Sequence, residues 1–194
     1  MDDFILYTRL GLFHVLDLKA YDHILFLTVL AVIYVFSDWK KVLWLITFFT
    51  FGHTLTLALS AYDILHVKMS IVEFLIPVTI MATALANIFF SKKLVSKTES
   101  NINLVFAFFF GLIHGLGFSS YFKILVDRNE AKLLPLLEFA LGIEMAQVVI
   151  VILVLLTGFI FQRLFNVNRK DWILVISSVV AGIVIPMLFE RVFW

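Results

Sequence analysis

Long apolar runs separated by short polar breaks make up most of this chain. A membrane-spanning helix needs about 20 mainly apolar residues. Five segments reach that length, and they are 40–60, 70–91, 101–122, 133–161 and 171–193. A barrel strand would instead alternate polar and apolar residues over about ten positions. The continuous runs therefore predict membrane-spanning helices rather than strands.

Two further apolar segments are shorter. Segment 21–36 is expected to form a sixth span that begins at Asp22 and His23. Segment 4–18 is interrupted by Arg9, His14 and Asp17, and at 1.5 Å per residue it reaches only about 22 Å. We expect it to lie at the interface or to enter the bilayer as a half-helix. The prediction is an all-α bundle of six transmembrane helices plus a short or re-entrant N-terminal helix, in one integral membrane domain covering residues 1–194.

The composition agrees with this class of protein. Of the 194 residues, 62% are hydrophobic and 15% are charged, whereas a soluble domain has about 45–50% apolar and about 25% charged residues. The chain contains no cysteine, which excludes disulfides, thiolate metal ligands and a cysteine nucleophile. The net charge of +1, without a long basic run, gives no indication of a nucleic-acid partner. The bilayer is the expected environment.

Positive charge indicates an orientation. We call side B the end of the bundle that holds the connections 37–41, 91–100 and 162–171, and side A the opposite end, where the N-terminus is expected. Connections 91–100 and 162–171 each carry three Lys or Arg residues. The positive-inside rule then places side B in the cytoplasm. We expect a multi-pass protein of the inner (cytoplasmic) membrane with both termini on the extracytoplasmic side.

Ionisable side chains lie inside the predicted spans, mostly near side A. Each costs roughly 2.5–3.5 kcal/mol on insertion scales, so each is a functional-site hypothesis. Counting 1.5 Å per residue from side A places all of them in the outer half except Glu144, which lies near the bilayer middle. The B half offers Asn87 and a few hydroxyl groups. This asymmetry predicts one polar cavity that opens towards side A. The residues are His23, His53, Glu73, His114, Glu138 and Glu144.

The donor types favour a transition metal. Imidazoles combined with carboxylates suit zinc, nickel or cobalt, whereas calcium and magnesium prefer oxygen ligands alone. If segment 4–16 folds back on the first span, His14 can meet His23, and Asp22 can ligate the ion or orient an imidazole. Pro77 cannot bond the carbonyl of Glu73, so a free backbone oxygen is expected there. His66 falls in a loop and is not expected to belong to the site.

Several motifs resemble those of the HupE/UreJ membrane proteins, in order and over nearly the whole chain. They are Gly11-Leu-Phe-His14, Tyr21-Asp22-His23-Ile-Leu-Phe-Leu, Phe51-Gly52-His53-Thr54-Leu55, Phe110-Gly111-Leu-Ile-His114-Gly115 and Leu141-Gly142-Ile-Glu144-Met-Ala-Gln147. The resemblance implies an accessory protein of hydrogenases or ureases that lets nickel or cobalt ions cross the membrane. The family's His-x5-Asp-His signature corresponds to His14, Asp22 and His23, although seven residues separate His14 from Asp22 here. Its His-Gly motif corresponds to His114 and Gly115, without the acidic residue that follows it in nickel-transporting members.

The leading hypothesis is therefore a permease for a divalent transition metal (Ni, Co or Zn). The expected metal ligands are His14, Asp22, His23, His53, Glu73 and His114, and the expected pathway or supporting residues are Asn87, Glu138, Glu144 and Gln147.

Two alternatives stay open. An intramembrane zinc hydrolase would act on a lipid or a membrane-embedded substrate, with Glu73, Asp22 or Glu138 as general base. A non-catalytic assembly protein would use its polar groups as interhelical hydrogen bonds. Whether the chain is an enzyme, which residues would be catalytic, and whether it forms a homo-oligomer are left open by the sequence.

Overall fold

Helices account for nearly all of the chain in a computed structural model that describes residues 2–96, 100–126 and 132–194. There is no strand within these ranges, and the prediction of an all-α membrane protein is confirmed. Residues 97–99 and 127–131, which belong to two of the expected connections, lie outside the described residues. The helices are α1 Asp2–Leu16, α2 Asp22–Ala31, α3 Trp39–Ala61, α4 Met69–Ser96, α5 Ser100–Leu125, α6 Leu133–Leu164 and α7 Arg169–Glu190, with a 3-10 turn at Phe36–Asp38.

Helices α3 to α7 are long and apolar enough to cross a membrane. The expected sixth span, 21–36, does not form one continuous helix. Helix α2 has 10 residues and reaches only about 15 Å. The residues that follow include Val32, Ile33 and Val35, whose branched side chains lower helix propensity. The count of six spans is therefore not confirmed.

The end of α2 is stabilised by side chains from two distant helices. The last carbonyls of a helix have no partner within it, and an unsatisfied backbone group in a bilayer costs several kcal/mol. Here the Asn87 side-chain amide on α4 donates to the Val29 carbonyl at 2.7 Å, and the Arg169 guanidinium on α7 donates to the Ile33 carbonyl at 2.6 Å. These contacts allow α2 to stop inside the bundle.

Helix α1 packs along α6. Gly11 faces the backbone of Phe139, and Gly142 faces the backbone of Thr8. The ring of His14, further along α1, contacts Phe139, with 5.7 Å between ring centroids. Helix α7 ends at side A. The side of the membrane on which each terminus lies stays a prediction, as does the end of the bundle that faces the cytoplasm.

Glycines bring α3 and α5 into direct backbone contact. A Cβ atom at Gly111 would overlap the carbonyl oxygen of Phe49, and one at Gly115 would overlap that of His53. Close approach of this kind stabilises helix pairs in lipid, where apolar surface gains nothing by leaving the solvent. Gly111 and Gly115 therefore serve helix packing between α3 and α5, as Gly142 does between α1 and α6. Because Gly115 directly follows His114, the approach also places His114 and His53 on neighbouring backbones.

Candidate metal centre

Four histidines from four helices meet in the side-A half of the bundle. His14 lies on α1, His23 on α2, His53 on α3 and His114 on α5. The ring centroids of His14 and His23 are 4.7 Å apart, and the His53 ring lies 5.9 Å from each of them. The His114 ring lies 5.4 Å from that of His23. We call these four residues the His cluster.

Three members of the His cluster have the spacing of a metal site. His14, His23 and His53 each offer a ring nitrogen, and these nitrogens lie within 4.8 Å of one another. Zinc–nitrogen bonds are about 2.0–2.1 Å long, so two nitrogens on one ion can be at most about 4.2 Å apart. Small inward shifts of the rings would bring all three within bonding distance of a single ion. The residues present therefore fit a divalent transition metal.

Unpaired ring nitrogens support the same conclusion. Leaving a buried polar atom without a hydrogen bond costs about 1–3 kcal/mol, and each such atom calls for an explanation. His53 is fully buried, and neither of its ring nitrogens has a partner among the described residues. The same holds for Nε2 of His14 and His23 and for Nδ1 of His114. A bound cation would satisfy these lone pairs.

Apolar side chains enclose the cluster. The ring of Phe118 stacks obliquely on His14, with 4.1 Å between centroids, and Phe26 and Phe49 lie 5.1 and 5.2 Å from the His114 ring. The Thr79 hydroxyl on α4 lies 3.4 Å from Nε2 of His114. Thr79 therefore orients His114, whose Nδ1 has no hydrogen-bond partner among the described residues.

Asp22 precedes His23 and is paired with Arg191, at the C-terminal end of α7. The Arg191 guanidinium lies 3.2 Å from one Asp22 carboxylate oxygen. The other oxygen is buried without a hydrogen-bond partner among the described residues. The same guanidinium group donates to the Glu73 carbonyl at 3.4 Å, which is the backbone oxygen that Pro77 was expected to leave free. Arg191 thus bridges α2 and α4 at side A.

The expectation for the Glu73 side chain is wrong. Glu73 is exposed, so it does not face the interior as predicted, and it is not part of the three-histidine group. Counting residues from side A gives the depth of a side chain but not its direction around the helix axis, which turns by about 100° per residue. The carbonyl of Glu73 contacts Arg191, whereas the residue as a whole is exposed.

The predicted pathway residues are mostly engaged in helix pairing. The Thr47 hydroxyl donates to the Glu144 carboxylate at 2.6 Å, and the Thr50 hydroxyl donates to the Gln147 side-chain oxygen at 2.9 Å. Both contacts join α3 to α6. Asn87 connects α4 to α2, as described above, and to Ser177 of α7 at 3.2 Å.

Two acidic or basic residues at side A lie apart from these contacts. Glu138 is buried on α6, next in sequence to Phe139, whose ring contacts His14. His66 is exposed in the loop between α3 and α4, where it lies 3.6 Å from Asp63. A hydrogen bond from the Lys123 ammonium lowers the pKa of the Asp63 carboxyl. Asp63 is therefore paired with Lys123 of α5, and His66 lies outside the His cluster.

Sequence reasoning did not identify two residues that contact the site, Arg191 and Thr79. A signal for Arg191 existed, because a basic residue ends the last span at side A and Pro77 frees a carbonyl acceptor at the same level. Thr79 gave no comparable signal, since a threonine in a membrane helix usually bonds its own backbone, and Thr79 also does so with the Ile76 carbonyl at 2.7 Å.

The bundle and its imidazoles define a class, a multi-pass membrane protein with a cluster of metal-competent histidines between its helices. The family model described as HupE / UreJ protein matches residues 1–191, and the chain belongs to this family. This membership suggests a membrane protein of nickel or cobalt transport or an accessory protein for those metals. No curated protein and no solved structure matches the chain.

Proposed function

We propose that the protein is a membrane permease whose substrate is a divalent transition-metal ion, nickel, cobalt or zinc. The observation that carries the proposal is the convergence of His14, His23 and His53, with their ring nitrogens within 4.8 Å of one another. Neutral imidazole is a preferred ligand of these ions. His114 is the fourth imidazole of the cluster, and its Nδ1 is available as a further ligand.

Asp22 and Arg191 would control the side-A entrance. The Asp22 carboxylate is next to His23, and one of its oxygens has no hydrogen-bond partner among the described residues, while Arg191 contacts the other. An arriving cation competes with Arg191 for this carboxylate. This competition limits the affinity of the site for the ion. A transport site needs such a limit, because the ion must also be released.

The second candidate is an intramembrane zinc hydrolase. Three histidines with a free fourth position form a pattern that catalytic zinc uses. Asp22 is the carboxylate best placed as general base, since Glu73 is exposed on the surface. The polar groups on the way to side B favour this alternative, because the Glu144 carboxylate, the Gln147 side-chain oxygen and the Asn87 amide are engaged in contacts between helices.

Metal content and metal uptake of the same preparations test the proposal. Wild-type protein in mild detergent is titrated with Zn²⁺, Ni²⁺ and Co²⁺ by calorimetry, and proteoliposomes are assayed for uptake of the same ions. We expect about one exchangeable ion per chain together with uptake. His53→Ala should weaken binding by more than about 100-fold, since loss of even a supporting partner of a ligand costs 10–100-fold.

His66→Ala is the matched control, because it removes an exposed imidazole outside the cluster and should change neither measurement. Equal effects of the two substitutions would contradict the assignment of the site. A tightly held, chelator-resistant ion without uptake under any imposed gradient would rule against the permease and favour the hydrolase. Absence of metal binding would favour an assembly role.

A further inference from the structure

Helices α3 and α5, which we call the first pair, meet through a reciprocal contact of two glycines. A Cβ atom at Gly52 would overlap the carbonyl oxygen of Phe108, which precedes Gly111 by three residues. A Cβ atom at Gly111 would overlap the carbonyl oxygen of Phe49, which precedes Gly52 by three residues. One turn after Gly111, Gly115 faces the next turn of α3. The two helices therefore run in the same direction, towards side A.

Helices α1 and α6, which we call the second pair, make the same contact. A Cβ atom at Gly142 would overlap the carbonyl oxygen of Thr8, three residues before Gly11. A Cβ atom at Gly11 would overlap that of Phe139, three residues before Gly142. Two packed helices can make this reciprocal contact when both run in the same direction, as α3 and α5 do. Since α6 begins at side A, where α5 ends, both helices of the second pair run towards side B, and this pair is inverted relative to the first.

The side chains beside the two glycine contacts also correspond. In the second pair, 5.7 Å separates the ring centroids of His14 and Phe139, and in the first pair 5.2 Å separates those of His114 and Phe49. Each of these histidines follows the glycine of its own helix by three residues. Both imidazoles lie near His23 of α2, with centroid distances of 4.7 and 5.4 Å. The two pairs are therefore equivalent units, and each presents one imidazole to His23.

The contacts within each pair differ from those between the pairs. Within a pair, backbone packs on backbone, and close-packed interfaces of this kind transmit strain rather than deform. Between the pairs, side chains join α3 to α6, through the Thr47–Glu144 and Thr50–Gln147 hydrogen bonds at 2.6 and 2.9 Å. Among the described residues, no glycine brings α3 and α6 together. Single hydrogen bonds between membrane helices contribute little each, so this α3–α6 seam is the place where the pairs can separate.

We propose that the two pairs form an inverted repeat, that they move against each other as rigid bodies, and that the α3–α6 seam opens and closes as the metal ion crosses. Transporters built from inverted repeats bind their substrate at the repeat interface and move one unit against the other around that site. His14 belongs to the second pair and His53 to the first, so an ion bound to both holds the pairs together. The movement rests on the permease function proposed above and identifies its moving parts.

Cross-linking of introduced cysteines tests the movement, because the chain has no cysteine of its own. Thr47→Cys combined with Glu144→Cys places one thiol on each side of the seam. Phe51→Cys combined with Phe108→Cys is the matched control within the first pair, where these two rings stack with 5.9 Å between centroids. In each combination one residue is exposed and the other half-buried. A short bis-methanethiosulfonate links the thiols, and a reducing agent releases them.

Uptake of Zn²⁺, Ni²⁺ and Co²⁺ into proteoliposomes and calorimetric affinity for Zn²⁺ are measured before linking, after linking and after reduction. We expect the link across the seam to abolish uptake and reduction to restore it. Zn²⁺ binding should persist in the linked protein, because the seam hydrogen bonds and the His cluster are formed together in the structure. The link within the first pair should change neither measurement.

Uptake that continues after complete linking across the seam, verified by the mass of the protein, would overturn the rigid-body movement. Equal loss of uptake in the two linked proteins would also overturn it. Absence of uptake by the unlinked wild-type protein would instead contradict the permease function itself. If the substitutions of Thr47 and Glu144 stop uptake before linking, Thr50→Cys combined with Gln147→Cys provides the same link across the seam.

Discussion

The imidazoles of the side-A half and the Asn87 amide of the side-B half differ in their hydrogen bonding. In the side-A half, His14, His23 and His53 have ring nitrogens without partners among the described residues. In the side-B half, Asn87 bonds Val29 and Ser177. Polar atoms in a bilayer are expensive wherever they lie, so unpaired ones indicate a ligand and paired ones indicate helix adhesion. The difference separates a candidate binding site from the structure that supports it.

The packing of the helices also differs between the two halves of the bundle. Near the His cluster, glycines bring helix backbones into direct contact, as Gly111 does with Phe49. The histidine side chains lie between the helices at this level. In the side-B half, the early end of α2 leaves a groove between α2, α4 and α5 instead. Among the described residues, no atom lies within 4 Å of a Cβ built at Gly182 of α7, so Gly182 is a glycine without a close helix contact.

The largest effect is expected from Gly111→Ala. The added Cβ would collide with the Phe49 carbonyl oxygen, and backbone cannot move as a flexible side chain can. Overpacking of this kind costs about 1–3 kcal/mol, so the melting temperature should fall by about 2–12 °C. Metal binding should weaken as well, because α3 and α5 carry His53 and His114. Thermal melting by circular dichroism and metal titration measure the two effects.

Gly182→Ala is the control for this substitution, since it adds the same methyl group to a membrane helix at an open position. It should leave both the melting temperature and metal binding unchanged. If the two alanine variants melt at the same temperature, the close α3–α5 contact does not support the His cluster in the way argued above.

The sequence predicts much of the side-A half because its signals are local. Apolar length predicts α3 to α7, and depth along each helix predicts that His23, His53 and His114 share one level. Depth does not determine direction around the axis, which is why Glu73 was misplaced. The end of α2 also depends on Asn87 and Arg169, which are distant in sequence, and no pattern within segment 21–36 indicates such partners. Arg191 meets Asp22 through the packing of α7 against α4 and α2, which no local sequence pattern indicates.

A smaller effect is expected from Arg191→Gln, which removes a positive charge from the entrance of the His cluster. The ion pair is partly exposed, with 28% and 14% of the Arg191 and Asp22 side chains accessible, and such pairs contribute up to about 1 kcal/mol. Removal of the competing guanidinium should therefore tighten metal binding about fivefold. Calorimetric titration of wild type and variant with Zn²⁺ measures the change.

A double-mutant cycle shows whether the effect acts through Asp22. In an Asp22→Asn background, Arg191→Gln should change metal affinity little, because the carboxylate for which the two cations compete is gone. Weaker binding in Arg191→Gln alone would mean that Arg191 positions Asp22 rather than competing for it. If Arg191→Gln leaves the metal affinity unchanged in both backgrounds, Arg191 does not influence metal binding.

The smallest effect is expected at Thr50, whose hydroxyl is paired with the side-chain oxygen of Gln147. Thr50→Val keeps the shape of the side chain but removes its hydroxyl, and with it the 2.9 Å bond to Gln147 of α6. Interhelical hydrogen bonds in membrane proteins contribute about 0.6 kcal/mol on average. The free energy of unfolding should fall by about this amount while metal affinity stays that of the wild type. A large loss of metal affinity in Thr50→Val with little loss of stability would mean that the α3–α6 contact contributes to metal binding. The distinction between paired and unpaired polar groups would then be wrong at this level of the bundle.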